Sequence, residues 1–295
     1  MEPFLPLSHL WEEERTEAGT VPTLTVFLAG AECPFTCIYC DLWRKTLDGP
    51  TPPGALPAQL QKVLEAETVP PSAAVKLYNA SNFFDPRAVP EEDRPALLEL
   101  VKPFVRVTVE SHPRLVGRDC LEFASRLEGR LEVAIGLETV HPEALPRLNK
   151  QMTLAAFDLA ANVLRSSGID IRAFVLVGVP FVAREEAAYW AVRSAEYAFQ
   201  QGAGRVSLIP VRGGSGALEV LDREGNFFPP SLGQLEQAFE QALELEGGIV
   251  QVDLWDAHLF ASCSVCAAGR IKRLARMNLT GRPEPRPGCP ACGSG

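Results

Sequence analysis

Residues 23–40 read Thr-Leu-Thr-Val-Phe-Leu-Ala-Gly-Ala-Glu-Cys-Pro-Phe-Thr-Cys-Ile-Tyr-Cys, a run of β-formers that ends at Gly30 and is followed by three thiols, Cys33, Cys37 and Cys40. Thr23 to Ala29 has the composition of a buried parallel strand, so the cysteines occupy the loop at that strand's C-terminal end. Thiolates are soft metal ligands, and a four-iron cluster normally takes four of them. Three from one loop would therefore leave one iron without a protein ligand. Packing as small hydrophobes is the plain alternative, but three cysteines in a Pro- and Thr-containing loop make a poor core. A simple electron-transfer cluster or a zinc site is the better rival, and both ordinarily want a fourth ligand nearby.

Outward from this stretch, strand and helix patterns alternate. Leu56 to Ala66 has helical spacing, Ala73 to Asn79 reads as a strand, and Ala80 to Asp85 as its exit loop. A helix is expected around Glu91 to Val101, then a strand from Val105 to Glu110 whose exit carries Glu110, Ser111 and His112. Strands at Leu131–Glu138, Ile171–Val177 and Val206–Pro210 alternate with helices at Thr153–Arg165 and Glu185–Gln201, and a helix over Ser231–Leu245 follows. Such βαβ repetition implies a parallel sheet with right-handed crossovers. The expected fold class is α/β, a partial (βα)6 TIM-like barrel with a small cysteine-rich C-terminal tail. In such barrels the active site lies where strands end and βα loops begin. The thiols, Asn79 to Asn82, Glu110 to His112 and Glu138 all fall at such positions.

The expected boundaries are a Pro-rich, acidic lead-in over 1–22, a core barrel over 23–246 and a metal-binding tail over 247–295. The pair Gly247-Gly248 is read as a break, and Ile249 to Leu254 as a strand opening the tail. The 28 basic and 37 acidic residues give a net charge of −9, which argues against nucleic-acid binding through general basicity. The first residues lack a signal-peptide pattern and no apolar run reaches spanning length, so a cytoplasmic protein without membrane contact is expected.

Seven of the eight cysteines fall into two close-spaced groups, which suggests metal rather than disulfides. The eighth, Cys120, is expected as a packed helical thiol. The tail group is Cys263-Ser-Val-Cys266 and Cys289-Pro-Ala-Cys292, two C-x2-C pairs suited to a four-thiolate zinc site. An auxiliary four-iron cluster would use the same ligands. Between the pairs, Arg270, Lys272, Arg273, Arg276, Arg282 and Arg286 form a local basic excess, read either as a phosphate contact or as a solvated face.

The C-x3-C-x2-C spacing, with an aromatic residue before the last cysteine, resembles the radical S-adenosylmethionine (SAM) superfamily. Asn79-Ala-Ser-Asn-Phe-Phe-Asp85, Val109-Glu-Ser-His-Pro113, Ile135-Gly-Leu-Glu-Thr139, Leu148-Asn-Lys150 and Val177-Gly-Val-Pro-Phe181 narrow the resemblance to the methylthiotransferase and elongator-type branch. Within it they are most similar to the radical SAM subunit that forms archaeosine in archaeal tRNA. The resemblance runs from about Thr23 to Pro230. It implies a [4Fe-4S] cluster on Cys33, Cys37 and Cys40, with SAM on the fourth iron. It also implies that the loop Asn79, Ala80, Ser81, Asn82 supports the methionine amino group, with Ala-Ser where the superfamily has paired glycines. From the residues themselves, Glu110 could face the sulfonium end and Glu138 the ribose, or each could serve a salt bridge to a nearby Arg or Lys. Val177 to Phe181 would border the adenine, or simply end a strand at a Pro turn. The implied reaction is reductive cleavage of SAM to a 5'-deoxyadenosyl radical that abstracts hydrogen from a substrate, with a modified tRNA base among the classes left open. A reductant such as ferredoxin or flavodoxin, and a partner subunit, are implied partners. The competing function is a non-catalytic iron–sulfur or zinc protein, an electron carrier or interaction scaffold.

Overall fold

The computed structural model describes residues 1–293. Its centre is a sheet of strands in sequence order: β1 (Ser8–Thr16), β2 (Gly19–Phe27), β3 (Ala74–Tyr78), β4 (Arg106–Ser111), β5 (Arg130–Glu138), β6 (Asp170–Val177), β7 (Arg205–Pro210) and β8 (Ile249–Val252). β1 and β2 form an antiparallel hairpin, and β2 through β8 run parallel. The helices α1 (Ala55–Ala66), α2 (Arg94–Leu100), α3 (Arg118–Arg126), α4 (Ala144–Arg147), α5 (Leu154–Ser166), α6 (Ala187–Gln200), α7 (Ala217–Arg223) and α8 (Leu232–Ala242) fill the crossovers, and α9 (Ser264–Thr280) follows β8. The six expected parallel strands are β2 to β7. Cys120 lies in α3 and is fully buried, as expected.

The helices form for local reasons that agree with the packing. In α5 the Thr153 hydroxyl accepts from the Ala156 amide at 3.2 Å, and Phe157, Ala160, Ala161 and Leu164 make one buried stripe. In α8 Ser231 and Gln234 cap each other's backbone amides. The buried face of α6 is almost all alanine, which lets the helix lie close to its neighbours.

Two expected boundaries move. Ser8 to Thr16, placed in the lead-in, is an edge strand, and its inward Glu14 is needed by the barrel interior. There Glu14, Lys76, Arg106, Glu132, Arg172 and Arg205 form a connected ionic layer. Arg172 reaches both Glu14 and Glu132 at 2.8 Å, and Lys76 and Arg106 meet Glu14 at 2.8 and 2.7 Å. Burial alone would raise the Glu14 carboxyl, but Arg172, Lys76 and Arg205 outweigh it and hold it well below the ordinary range. Removing one partner from such a layer costs about 3–5 kcal/mol, because a buried charge is left uncompensated.

β8, expected to open the tail, pairs with β7 in the barrel sheet, so the tail proper starts after Val252. Helix α9 then bridges the seam between the two edge strands. The Asn278 side chain accepts from the Val252 amide and donates to the Val252 carbonyl, both at 2.8 Å, as a neighbouring strand would. Across the same seam Arg15 donates to the Val250 carbonyl at 3.1 Å. Gly281 ends α9 with φ of 66°, and any Cβ there would overlap the Arg15 guanidinium. Among the described residues, no helix is long and apolar enough to cross a membrane.

Candidate active site at the barrel mouth and a four-cysteine tail

The loop after β2 is clasped at its base, where Ala31 pairs with Leu47 and the Leu47 amide donates to the Gly30 carbonyl at 2.9 Å. Its tip is fastened to the segment after α4. The Ile38 amide donates to the Leu148 carbonyl at 3.1 Å, and Asn149 Nδ2 donates to the Thr36 carbonyl and hydroxyl at 2.9 and 2.8 Å. Phe35 stacks on the His112 ring with centroids 3.8 Å apart. His112 in turn holds the Lys150 carbonyl through Nε2 at 2.9 Å. The cysteine loop is therefore fixed by His112 at the exit of β4 and by residues 148–150, not by its own sequence alone. Burial pushes the Cys40 thiol up to about 11 and also raises Cys37, so binding a metal here would release protons.

The β3 exit loop lies directly against these thiols. Asn82 Nδ2 donates to Cys33 Sγ at 3.2 Å, while Asn82 Oδ1 accepts from the His112 amide at 2.7 Å. Ala80 has φ of 54°, the left-handed region that a glycine would occupy without strain, so the Ala-Ser departure keeps the turn at a conformational cost. Asn79 Oδ1 accepts from the Ser81 amide, but Asn79 Nδ2 and Ser81 Oγ are buried without a partner. Orphaned buried polar atoms call for an explanation, and a polar ligand in this loop supplies one.

The expected carboxylates have different surroundings. Glu110, half-buried at the end of β4, is pushed up to about 8 by desolvation, against the pull of Lys150 and of the Asn79 amide. Glu138 is 5% exposed and paired with Lys150, Nζ to Oε1 2.7 Å, at an irregularity in β5 where its φ is 65°. Gly136 makes that pair possible, since a Cβ there would sit 2.0 Å from Glu138 Oε1 and 2.4 Å from Lys150 Nζ. The Tyr39 phenol faces both Cys37 and Glu138, and burial raises it well above its ordinary range. Val177 is fully buried at the end of β6. The turn after it is strained at Phe181, φ 69°, whose ring carries the Arg147 guanidinium at 3.5 Å. Sequence reading assigned no role to Lys150, Gly136 or Phe35. The one signal for Lys150 was its place in the Leu148-Asn-Lys150 motif.

The floor of the mouth is aromatic. Phe27 and Tyr78 are register neighbours with ring centroids 6.1 Å apart, Tyr78 meets Phe174 at 6.4 Å, and Trp255 meets Phe27 at 6.1 Å from the far side of the seam. Trp255 is 56% exposed, yet its backbone is pinned. Its amide donates to Asp253 at 2.8 Å, and its carbonyl accepts from Arg212, itself paired with Asp253.

In the tail, the sulfurs of Cys263, Cys266, Cys289 and Cys292 all lie within 4.8 Å of one another, with Cys263–Cys289 at 4.0 Å and Cys266–Cys292 at 3.8 Å. The basic segment is largely consumed by acids. Arg270 grips the buried Glu236 at 2.5 and 3.0 Å, Arg273 meets Glu236 and Glu240, Arg276 pairs with Glu284, and Arg286 with Glu240. The hydrogen bond to Glu236 raises Arg270 above its ordinary range, and the nearby Cys266 sulfur adds to that. This segment clamps α9 and residues 284–286 onto α8. Lys272 and Arg282 are exposed.

A parallel barrel with three thiols at the strand ends and a four-cysteine tail has the radical SAM type of fold. A radical SAM methyltransferase from Sphaerobacter thermophilus shares it, with a TM-score of 0.54 over 86% of this chain and 77% of its own, at 15% identity. In sequence the chain is similar to archaeosine synthase subunit beta of Methanosarcina acetivorans, 26% identical over 231 residues, which are 75% of this chain and 66% of that protein. It is also similar to an uncharacterised protein of Methanocaldococcus jannaschii, 27% identical over 165 residues, 54% of this chain and 45% of the relative. The matches thus span about half to two-thirds of the length of these relatives. The resemblance drawn from the barrel motifs holds as sequence similarity, and no family model matches the chain.

Proposed function

We propose that this chain is a radical SAM enzyme with its cluster on Cys33, Cys37 and Cys40. The observation that carries the reading is the join of three rim thiols to a β3 exit loop whose buried Asn79 Nδ2 and Ser81 Oγ lack partners. These residues fit the implied group. Three thiolates leave one iron open, and the orphaned amide and hydroxyl suit the amino-acid end of SAM. When bound, the cluster supplies the electron that splits the SAM sulfonium and generates the radical. The chain's own part is to bind, orient and exclude water. Asn82 positions Cys33, Glu110 would supply a carboxyl to the sulfonium end, and the Val177 to Phe181 turn would border the adenine.

The aromatic floor of Phe27, Tyr78 and Phe174, with Trp255 at the seam, supports a planar substrate ring, because any π-face stacks on such a surface. A tRNA base, the class suggested by the relative's name, is one such ring, and that relative's being a subunit supports a partner subunit here. The basic tail segment gives RNA little support, since most of its charge is paired. A low-potential carrier such as ferredoxin or flavodoxin would be the reductant.

For the tail we propose zinc. Tetrahedral bonds of about 2.3 Å set sulfurs about 3.8 Å apart, close to the 3.8 and 4.0 Å found. In a four-iron cluster each cysteine takes a different iron, which spreads the sulfurs further.

The test is anaerobic reconstitution with iron and sulfide, then dithionite and SAM, with metal analysis of both sites. 5'-Deoxyadenosine should accumulate with wild-type protein and not with the Cys33→Ala, Cys37→Ala, Cys40→Ala variant. A reconstituted cluster that releases no nucleoside would favour the electron-carrier reading instead.

A further inference from the structure

The thiol loop has a charged neighbour that the proposed reaction does not use. Lys150 is 8% exposed, its ammonium 2.7 Å from Glu138, and it directly follows Leu148 and Asn149, which hold the cysteine loop at Ile38 and Thr36. Its place is built at some cost. Glu138, Asn149 and Gln151 all adopt left-handed backbone, with φ of 65°, 54° and 56°. Gly136 gives up its side chain to admit the pair. The Lys150 carbonyl is held by His112, whose amide is held by Asn82, the residue that also donates to Cys33. Strain of this kind persists only where the surroundings over-determine it, and it gathers at working sites.

A reduced cluster on three thiolates carries more negative charge than an oxidised one. A cation fixed beside it in a water-poor site favours the reduced form. Lys150 is the cation in that position, and Glu138 partly offsets it. We propose that Lys150 is a positioning residue of the thiol site, a built-in counter-charge that sets how readily the cluster takes one electron from a low-potential donor. The proposal rests on the cluster reading above.

The test is an EPR-monitored redox titration of the reconstituted full chain, without SAM or substrate, with dithionite as the electron source. At the wild-type midpoint, Lys150→Gln should lower the reduced-to-oxidised ratio at least tenfold, which is about 59 mV for a one-electron couple. Lys150→Arg should stay within threefold, and Glu138→Gln should shift the ratio upward. Unchanged ratios in both Lys150→Gln and Glu138→Gln, or shifts of the same sign, overturn the proposal. If Lys150→Gln fails to load iron, the opposite-sign shift of Glu138→Gln and the retention in Lys150→Arg decide it alone, and their absence overturns it. Loss of the underlying reading looks different: the EPR signal would then survive replacement of Cys33, Cys37 and Cys40 by alanine.

Discussion

The two cysteine groups use the same chemistry in opposite ways. Each has thiols backed by a cation that a buried carboxylate holds, Lys150 on Glu138 at the mouth and Arg270 on Glu236 in the tail. In the tail four sulfurs close on one point, and Glu236, Glu240 and Glu284 pair the surrounding arginines. At the mouth three thiols stand beside an orphaned amide and hydroxyl and a half-buried carboxyl pushed up to about 8. Saturation marks a site that holds structure, and unfilled polar capacity marks one built to receive a ligand.

That contrast can be broken most directly by removing the tail metal. Cys289→Ala, or chelation, should cost more than about 3 kcal/mol, because loss of a structural metal is among the largest single-site effects. It would be read as a fall in Tm of roughly 6–12 °C, with α9 and the β1–β8 seam losing hydrogen-exchange protection first. Alanine at Cys33, Cys37 and Cys40 should leave the apo protein's Tm within about 2 °C, since no fold contact of that size is lost. A tail variant as stable as wild type would end the distinction.

Gly136→Ala should destabilise by about 1–3 kcal/mol through overpacking against Glu138 and Lys150, measured by denaturant melts. Asn278→Leu should cost about 1–2 kcal/mol, because the Val252 amide and carbonyl lose their partner at the seam.

The remaining expected effect is a pH slope in the apo protein. Glu110 is raised to about 8, so the folded state binds its proton more tightly than the unfolded state, and its contribution falls as pH rises toward 8. His112, lowered to about 4 by burial and by Lys150, acts in the opposite sense: its contribution is lost as pH falls from 6.5 to 4. Between about pH 6.5 and 8 the Glu110 slope stands alone, before the raised thiols contribute their own, and Glu110→Gln should flatten it in pH-dependent melts.

The parallel strands were legible because buried strands are apolar runs. β1 was not, because Ser8 to Thr16 carries Glu12, Glu13 and Glu14 and reads as solvated. Its burial depends on Lys76, Arg106 and Arg172, which lie 62 to 158 residues further along. The Gly247-Gly248 pair reads as a linker, but it is a packing requirement: a Cβ on Gly247 would lie 2.8 Å from the Phe199 side chain, and one on Gly248 2.4 Å from the Gly204 carbonyl. The basic tail segment could be read only as a phosphate contact or a solvated face because two of its acids, Glu236 and Glu240, sit on another helix.

The sequence by itself determined the alternating barrel, the loop bearing Cys33, Cys37 and Cys40, and the four tail thiols, because periodicity and ligand spacing are local properties. Tertiary structure alone decided which charges meet. The Lys150–Glu138 pair, the ionic layer at Glu14, the arginine clamp on α8 and the seam closed by Asn278 join residues from different elements, and a buried charge is tolerable only where folding delivers its partner.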